Sequence, residues 1–79
     1  MNNENVTKEG IEVKIGQVWQ DLDKRMNGRT CIVEDVDVGK ALMARCRPDG
    51  SWKSSNQTKV SVVRMHKSST GWKLIKGAE

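Results

Sequence analysis

The side chains able to do chemistry are few and scattered. The single histidine, His66, stands between Met65 and Lys67 with no acidic or nucleophilic partner at a useful spacing, whereas acid–base or nucleophilic catalysis needs a positioned pair. A solvent-facing helical turn accounts for it. Asp21 and Asp23 lie in a stretch rich in Lys and Arg, but a hard cation wants more oxygen ligands than two carboxylates supply. Loop scaffolding is the plainer reading, with the carboxylates accepting from backbone amides or pairing with Arg25 or Arg29. Cys31 and Cys46 form no Cys-x-x-Cys and have only His66 as a further soft ligand, so no metal centre is expected. They read as two buried thiols in adjacent strands, with a disulfide as the alternative. The pattern points away from an enzyme, and it implies no cofactor and no small-molecule substrate.

Binding chemistry is better represented. Trp52 sits between Gly50-Ser51 and Lys53-Ser54-Ser55-Asn56, a polar setting that offers an indole little to bury against. It either packs on a sheet edge or stands exposed beside Arg45, Arg47 and Lys53, where it suits stacking on a base or filling a protein pocket. The basic residues Arg45, Arg47, Lys53, Lys59, Arg64 and Lys67 cluster in the same half of the chain. Residues 1–37 carry five basic and eight acidic side chains, a net −3, and residues 38–79 carry nine and two, a net +7. A half this basic favours anionic partners, nucleic acid first. Arg45 and Arg47 share a strand face, and if Lys59 opposes them they form a patch with Trp52 at its tip. The alternative is a solvated cationic face that guards an edge strand. Glu34, Asp35 and Asp37 form an acidic edge that could dock a protein instead. Trp72 could join the first loop as a surface platform, or pack with Trp19 in the core.

These residues need elements to hold them. With 79 residues there is room for one domain, and 35% apolar content without Phe or Tyr leaves Trp, Met, Val, Ile and Leu to fill a small core. Residues 1–10 are polar and aperiodic and read as a disordered tail, without the basic-then-apolar pattern of a signal peptide. Ile11-Glu12-Val13-Lys14-Ile15 alternates as a strand does, bends at Gly16 and continues through Val18-Trp19. A polar loop follows and closes on Asn27-Gly28. A second strand runs from Arg29 to Val38, with a bulge at Glu34-Asp35 returning Val36 to the core side. Gly39-Lys40 turns into a third strand, Ala41 to Arg47, whose apolar residues do not alternate cleanly. Pro48-Asp49-Gly50-Ser51 is a turn, extended by the polar stretch Lys53 to Gln57. Thr58, Val60 and Val62 mark a fourth strand, Val63 to His66 a 3-10 turn, and Trp72 to Ile75 a fifth strand. Five short strands with Gly-bearing turns point to a small antiparallel barrel. The expected boundaries are a tail over 1–10, a β domain over 11–76 and a tail over 77–79.

The frame Gly16-Gln17-Val18-Trp19-x-Asp21-x-Asp23-x-Arg25-x-x-Gly28-Arg29 resembles the opening of a family of very short proteins common in phage and prophage genomes. The run Thr58-Lys59-Val60-Ser61-Val62-x-Arg64-Met65-x-x-x-x-Thr70-Gly71-Trp72-x-Leu74-Ile75 resembles that family's ending. The likeness covers roughly residues 13–76. The chain departs from the family in its longer 48–57 loop with Trp52, in Met65 where an aromatic is usual, and in Lys67 where Pro is frequent. The resemblance implies an all-β, five-stranded antiparallel SH3-like barrel with a short 3-10 turn before the last strand, and a phage or mobile-element origin. It implies no reaction.

Two function classes follow. One is a non-enzymatic binding module on nucleic acid or a nucleoprotein, acting through Arg45, Arg47, Trp52, Lys53, Lys59, Arg64 and Lys67. The other is a protein–protein adaptor or inhibitor of a host defence protein, docking through Glu34, Asp35, Asp37, Trp72 or the Trp52 loop. Either would act in the cytoplasm of a bacterial host and not in a membrane.

Overall fold

Strands form where apolar residues alternate with polar ones, so that one row can leave water. In the computed structural model, which describes residues 5–77, they are β1 (Val18–Asp21), β2 (Thr30–Asp37), β3 (Lys40–Cys46), β4 (Lys53–Ser61) and β5 (Trp72–Lys76). Two 3-10 turns, Lys24–Met26 and Val62–Arg64, are the helical elements among the described residues, and no helix is long and apolar enough to cross a membrane. The strands make one antiparallel sheet in the order β4-β3-β2-β1-β5, so the first strand pairs with the last. This all-β architecture, with a 3-10 turn ahead of the closing strand, is consistent with the small SH3-like barrel expected.

Register sends one row inward. Trp19 lies opposite Cys31 and Val33 opposite Met43, and with Val13, Ala41, Val62, Met65 and Trp72 they make the core. The pairing of β2 with β3 shifts between Val33 and Asp35. Glu34 is therefore the extra residue of the expected bulge, and Val36 returns to the core side. A 3-10 turn does precede the last strand, but it runs Val62–Arg64 instead of Val63 to His66, so Val62 belongs to the turn and not to β4, and His66 lies beyond it.

β3 lacks clean alternation because both its faces are covered. Ala41 and Met43 join the core, whereas Ala44 and Cys46 are buried on the reverse, where Ile32 pairs with both Val18 and Ala44. The turn after β3 closes over that side. A Cβ at Gly50 would touch Val18, and Lys76 Nζ donates to the Asp49 carbonyl at 2.8 Å.

Several boundaries differ from expectation. From Asn5 onward the stretch 1–10 is folded rather than a tail: Thr7 is buried, its hydroxyl accepts from the amides of Glu9 and Ile11, and the Asn5 side chain accepts from the Gly39 amide. Residues 1–4 and 78–79 lie outside the described residues. The 11–15 segment forms no strand, only a single bridge between Glu12 and Val6. Its alternation buries Val13 and leaves Ile15 exposed, because its backbone partner is the preceding stretch and not a sheet strand. The β2–β3 turn is Val38-Gly39, not Gly39-Lys40. Both residues have positive φ, as a two-residue hairpin requires, although a β-branched residue adopts it under strain. β4 begins at Lys53 rather than Thr58. As an edge strand it pairs only with β3, so its polar residues stay in water and carry no periodic apolar signal.

One residue fastens the N-terminal segment to the sheet. Gln17 is buried. Its Oε1 accepts from the Trp19 indole Nε1 at 3.1 Å and from the Lys14 amide at 2.9 Å, while its Nε2 donates to the Glu12 carbonyl at 2.9 Å. Gln17→Leu would keep the volume and strand the buried indole N–H. The expected loss is about 1–3 kcal/mol, the cost of an unsatisfied buried donor, seen as a lower urea midpoint at unchanged slope. An unchanged midpoint would contradict this role.

Candidate functional site

The β3–β4 connection presents the first group of candidate residues. The Gly50 amide donates to the Arg47 carbonyl and the Arg47 amide to the Ser51 carbonyl. The Asp49 carboxylate accepts from the Ser51 hydroxyl and amide, and those hydrogen bonds, the hydroxyl's above all, hold its pKa below the ordinary carboxylate value. The chain then enters β4 through Trp52 at φ 49°, a left-handed conformation that bulky residues avoid. Its side chain projects into solvent, 62% exposed. Arg45 and Arg47 are both exposed, and Arg47 opens the turn that ends at Trp52. Arg45 sits where the β3–β4 register breaks between Ala44 and Cys46.

Lys53 is not a free cation. Its ammonium lies 3.0 Å from the Glu34 carboxylate, which also accepts from Gln57 Nε2 at 2.7 Å. Gln57 first and Lys53 second hold the Glu34 carboxyl below its usual pKa. Glu34 is thus engaged within the sheet, while Asp35 and Asp37 remain exposed along β2.

The expected single patch is divided. Lys59 lies opposite Leu42, not opposite Arg45 or Arg47, and the strand rise separates it from Lys53 by about 20 Å. The reason is the length of β4: its polar first half is strand rather than loop, which carries Lys59 away from Trp52. Arg64 ends the second 3-10 turn. Lys67 lies beyond it, its backbone amide directed at the Glu9 carboxylate.

Lys59 and Arg64 belong instead to a cleft of about 320 Å³ between the 21–29 loop and the end of β4. The loop carries its own scaffolding, as the sequence suggests. Buried Asp21 accepts from the Asp23 amide and from Arg29 Nε, each at 3.0 Å. Asp23 accepts from the backbone amide, Nε and Nη2 of Arg25. The Arg29 guanidinium is held over the Trp72 ring, 5.7 Å from its centroid. Trp72 itself is 5% exposed and part of the core, so it offers no open platform. The sequence marks Arg25 and Arg29 as loop partners and Thr70 as part of the closing Thr70-Gly71-Trp72 frame, none of them as a binding residue. All three line this cleft, and for the two arginines the available signal was a loop carrying two acids followed by three cations.

Both cysteines are free and buried. Cys31 faces Arg45 and Cys46 faces Thr30 across the ladder, so the one-residue offset sends the thiols to opposite faces of the sheet. Burial raises both pKa values, which keeps them protonated and unreactive at neutral pH. No family model, curated protein or solved structure matches the chain.

The hydrogen bonds from Arg25, its side chain first and its amide second, lower the pKa of Asp23 from 3.8 to about 2. Because the folded value lies below the unfolded one, this contact is complete above about pH 4 and is lost as pH falls toward 2. A carboxyl-detected NMR titration should place the Asp23 midpoint near the lower value, and Arg25→Ala should return it toward 3.8. A midpoint unmoved by that substitution would contradict the assignment.

Proposed function

We propose that this chain is a small, non-enzymatic, phage-type binding module that engages nucleic acid or a nucleoprotein in the bacterial cytoplasm. The observation that carries this reading is Trp52, held in a left-handed backbone conformation with its indole 62% exposed. A left-handed backbone at a bulky residue costs stability, and such strain clusters at functional surfaces. The indole offers a stacking face that any unpaired base can use, and the exposed Arg45 and Arg47 at the end of β3 and the start of the following turn supply charge for the phosphates. Single-stranded nucleic acid suits this geometry, because its bases are free to stack on a lone indole.

A second reading, a protein adaptor or inhibitor of a host defence protein, draws support from the Lys53–Glu34 ion pair. That pair lowers the net charge on one flank of Trp52 and leaves the indole shaped to fill an apolar pocket.

Salt separates the two readings. Affinity for a mixed-sequence single-stranded oligonucleotide, followed by fluorescence anisotropy, should fall steeply as salt rises, and Arg47→Ala should reduce the log–log slope by about 0.7. Trp52→Ala should weaken binding about tenfold at fixed salt. No binding at low salt would sink the nucleic-acid reading and leave the protein partner.

A further inference from the structure

We propose that the cleft between the 21–29 loop and the second 3-10 turn is a binding site for a phosphate group. It lies at the far end of β4 from Trp52 and does not depend on the function proposed above. Four cationic side chains, Arg25, Arg29, Lys59 and Arg64, border it with two acidic ones, Asp21 and Asp23, a surplus of two positive charges. Both carboxylates are already committed to partners within the loop. The surplus therefore faces an open space rather than a counter-charge.

Arg29 is the prepared element. Its Nε is held by Asp21 at 3.0 Å and its plane is kept near the Trp72 ring, with the side chain 23% exposed. A guanidinium fixed through Nε keeps its two terminal nitrogens for an incoming oxyanion, with little rotamer freedom left to lose. Among the described residues Arg64 and Lys59 make no ion pair, although Lys59 also borders a second cleft beside Asp35 and Asp37. Ser61 and Thr70 add hydroxyls at the rim. A carboxylate could be satisfied by the Arg29 fork alone. Three cations from three separate elements instead match a ligand with three terminal oxygens and up to two negative charges, which is a phosphomonoester or inorganic phosphate.

The test titrates inorganic phosphate into the ¹⁵N-labelled full chain and follows the amide signals. Saturable shifts confined to residues 21–29, 59–64 and 70–72 are expected. Arg64→Ala and Lys59→Ala, both at exposed positions, should each weaken binding about tenfold, the loss expected of one charge-assisted contact, while Lys8→Ala, exposed and outside the cleft, should not. Paired oligonucleotides with a 5′-phosphate or a 5′-hydroxyl identify the source. Tighter binding of the phosphorylated one, abolished by Arg64→Ala, assigns the site to a nucleic-acid end. Equal binding of the pair, with phosphate still saturating the cleft, assigns it to free phosphate. The absence of saturable shifts, or affinity indifferent to Arg64 and Lys59, overturns the proposal.

Discussion

A fully buried indole N–H is costly unless it finds an acceptor, and for Trp19 that acceptor is the side chain of Gln17. That contact organises much of what surrounds it. Trp19 is fully buried and, with Trp72, one of the two largest side chains in a core without Phe or Tyr. The same carboxamide reaches back to Glu12 and Lys14, so the segment that delivers Val13 to the core is fastened by the group that allows Trp19 to be there. The Gln17 backbone carbonyl accepts from the Val33 amide, and Gly16 donates to the Val33 carbonyl, which ties the entry to β1 into β2. A small domain with little apolar area to bury gains specificity from such a fully satisfied polar contact.

The second constraint is the pairing of β1 with β5, which sets Asp21 opposite Trp72. Asp21 holds Arg29, and Arg29 covers the Trp72 ring. The 21–29 loop is thereby pinned to the closing strand. Gly71 lets the turn ahead of β5 close tightly, with the Trp72 amide on the His66 carbonyl, since a side chain there would run into that carbonyl and the Ser68 hydroxyl. The cations left over from this packing, Lys59 near the end of β4 and Arg64 in the second 3-10 turn, border the same cleft, so the charged cleft is a by-product of how the loop is held. The three tryptophans consequently divide by role: two make the core, and Trp52 faces water.

Much of this was legible from residue order. The Glu34 bulge follows from two acids interrupting the phase of β2, and the Pro48–Ser51 turn from residues whose backbone preferences permit little else. The aspartate scaffolding was readable from short carboxylates set two residues from Arg25 and eight from Arg29. The illegible parts share a cause, which is tertiary context overriding local pattern. Residues 5–10 carry no apolar periodicity, yet they fold because Asn5 and Thr7 satisfy backbone groups elsewhere. Lys53 to Gln57 looks like loop because an edge strand wet on its open side needs no alternation. That single misplacement moved Lys59 from the Trp52 end to the cleft, and it shows how register, more than composition, decides which charges share a surface.

The division between a tryptophan pair that builds the fold and a third that meets the ligand is open to direct measurement. The three indole N–H resonances of the ¹⁵N-labelled chain can be followed by hydrogen exchange and then through a titration with single-stranded oligonucleotide. With an oligonucleotide that lacks a terminal phosphate, the signals of Trp19 and Trp72 should exchange slowly and hold position, while that of Trp52 exchanges fast and alone moves to a saturable limit. A stationary Trp52 signal, or a ligand-induced shift of Trp72 in its place, would contradict the account.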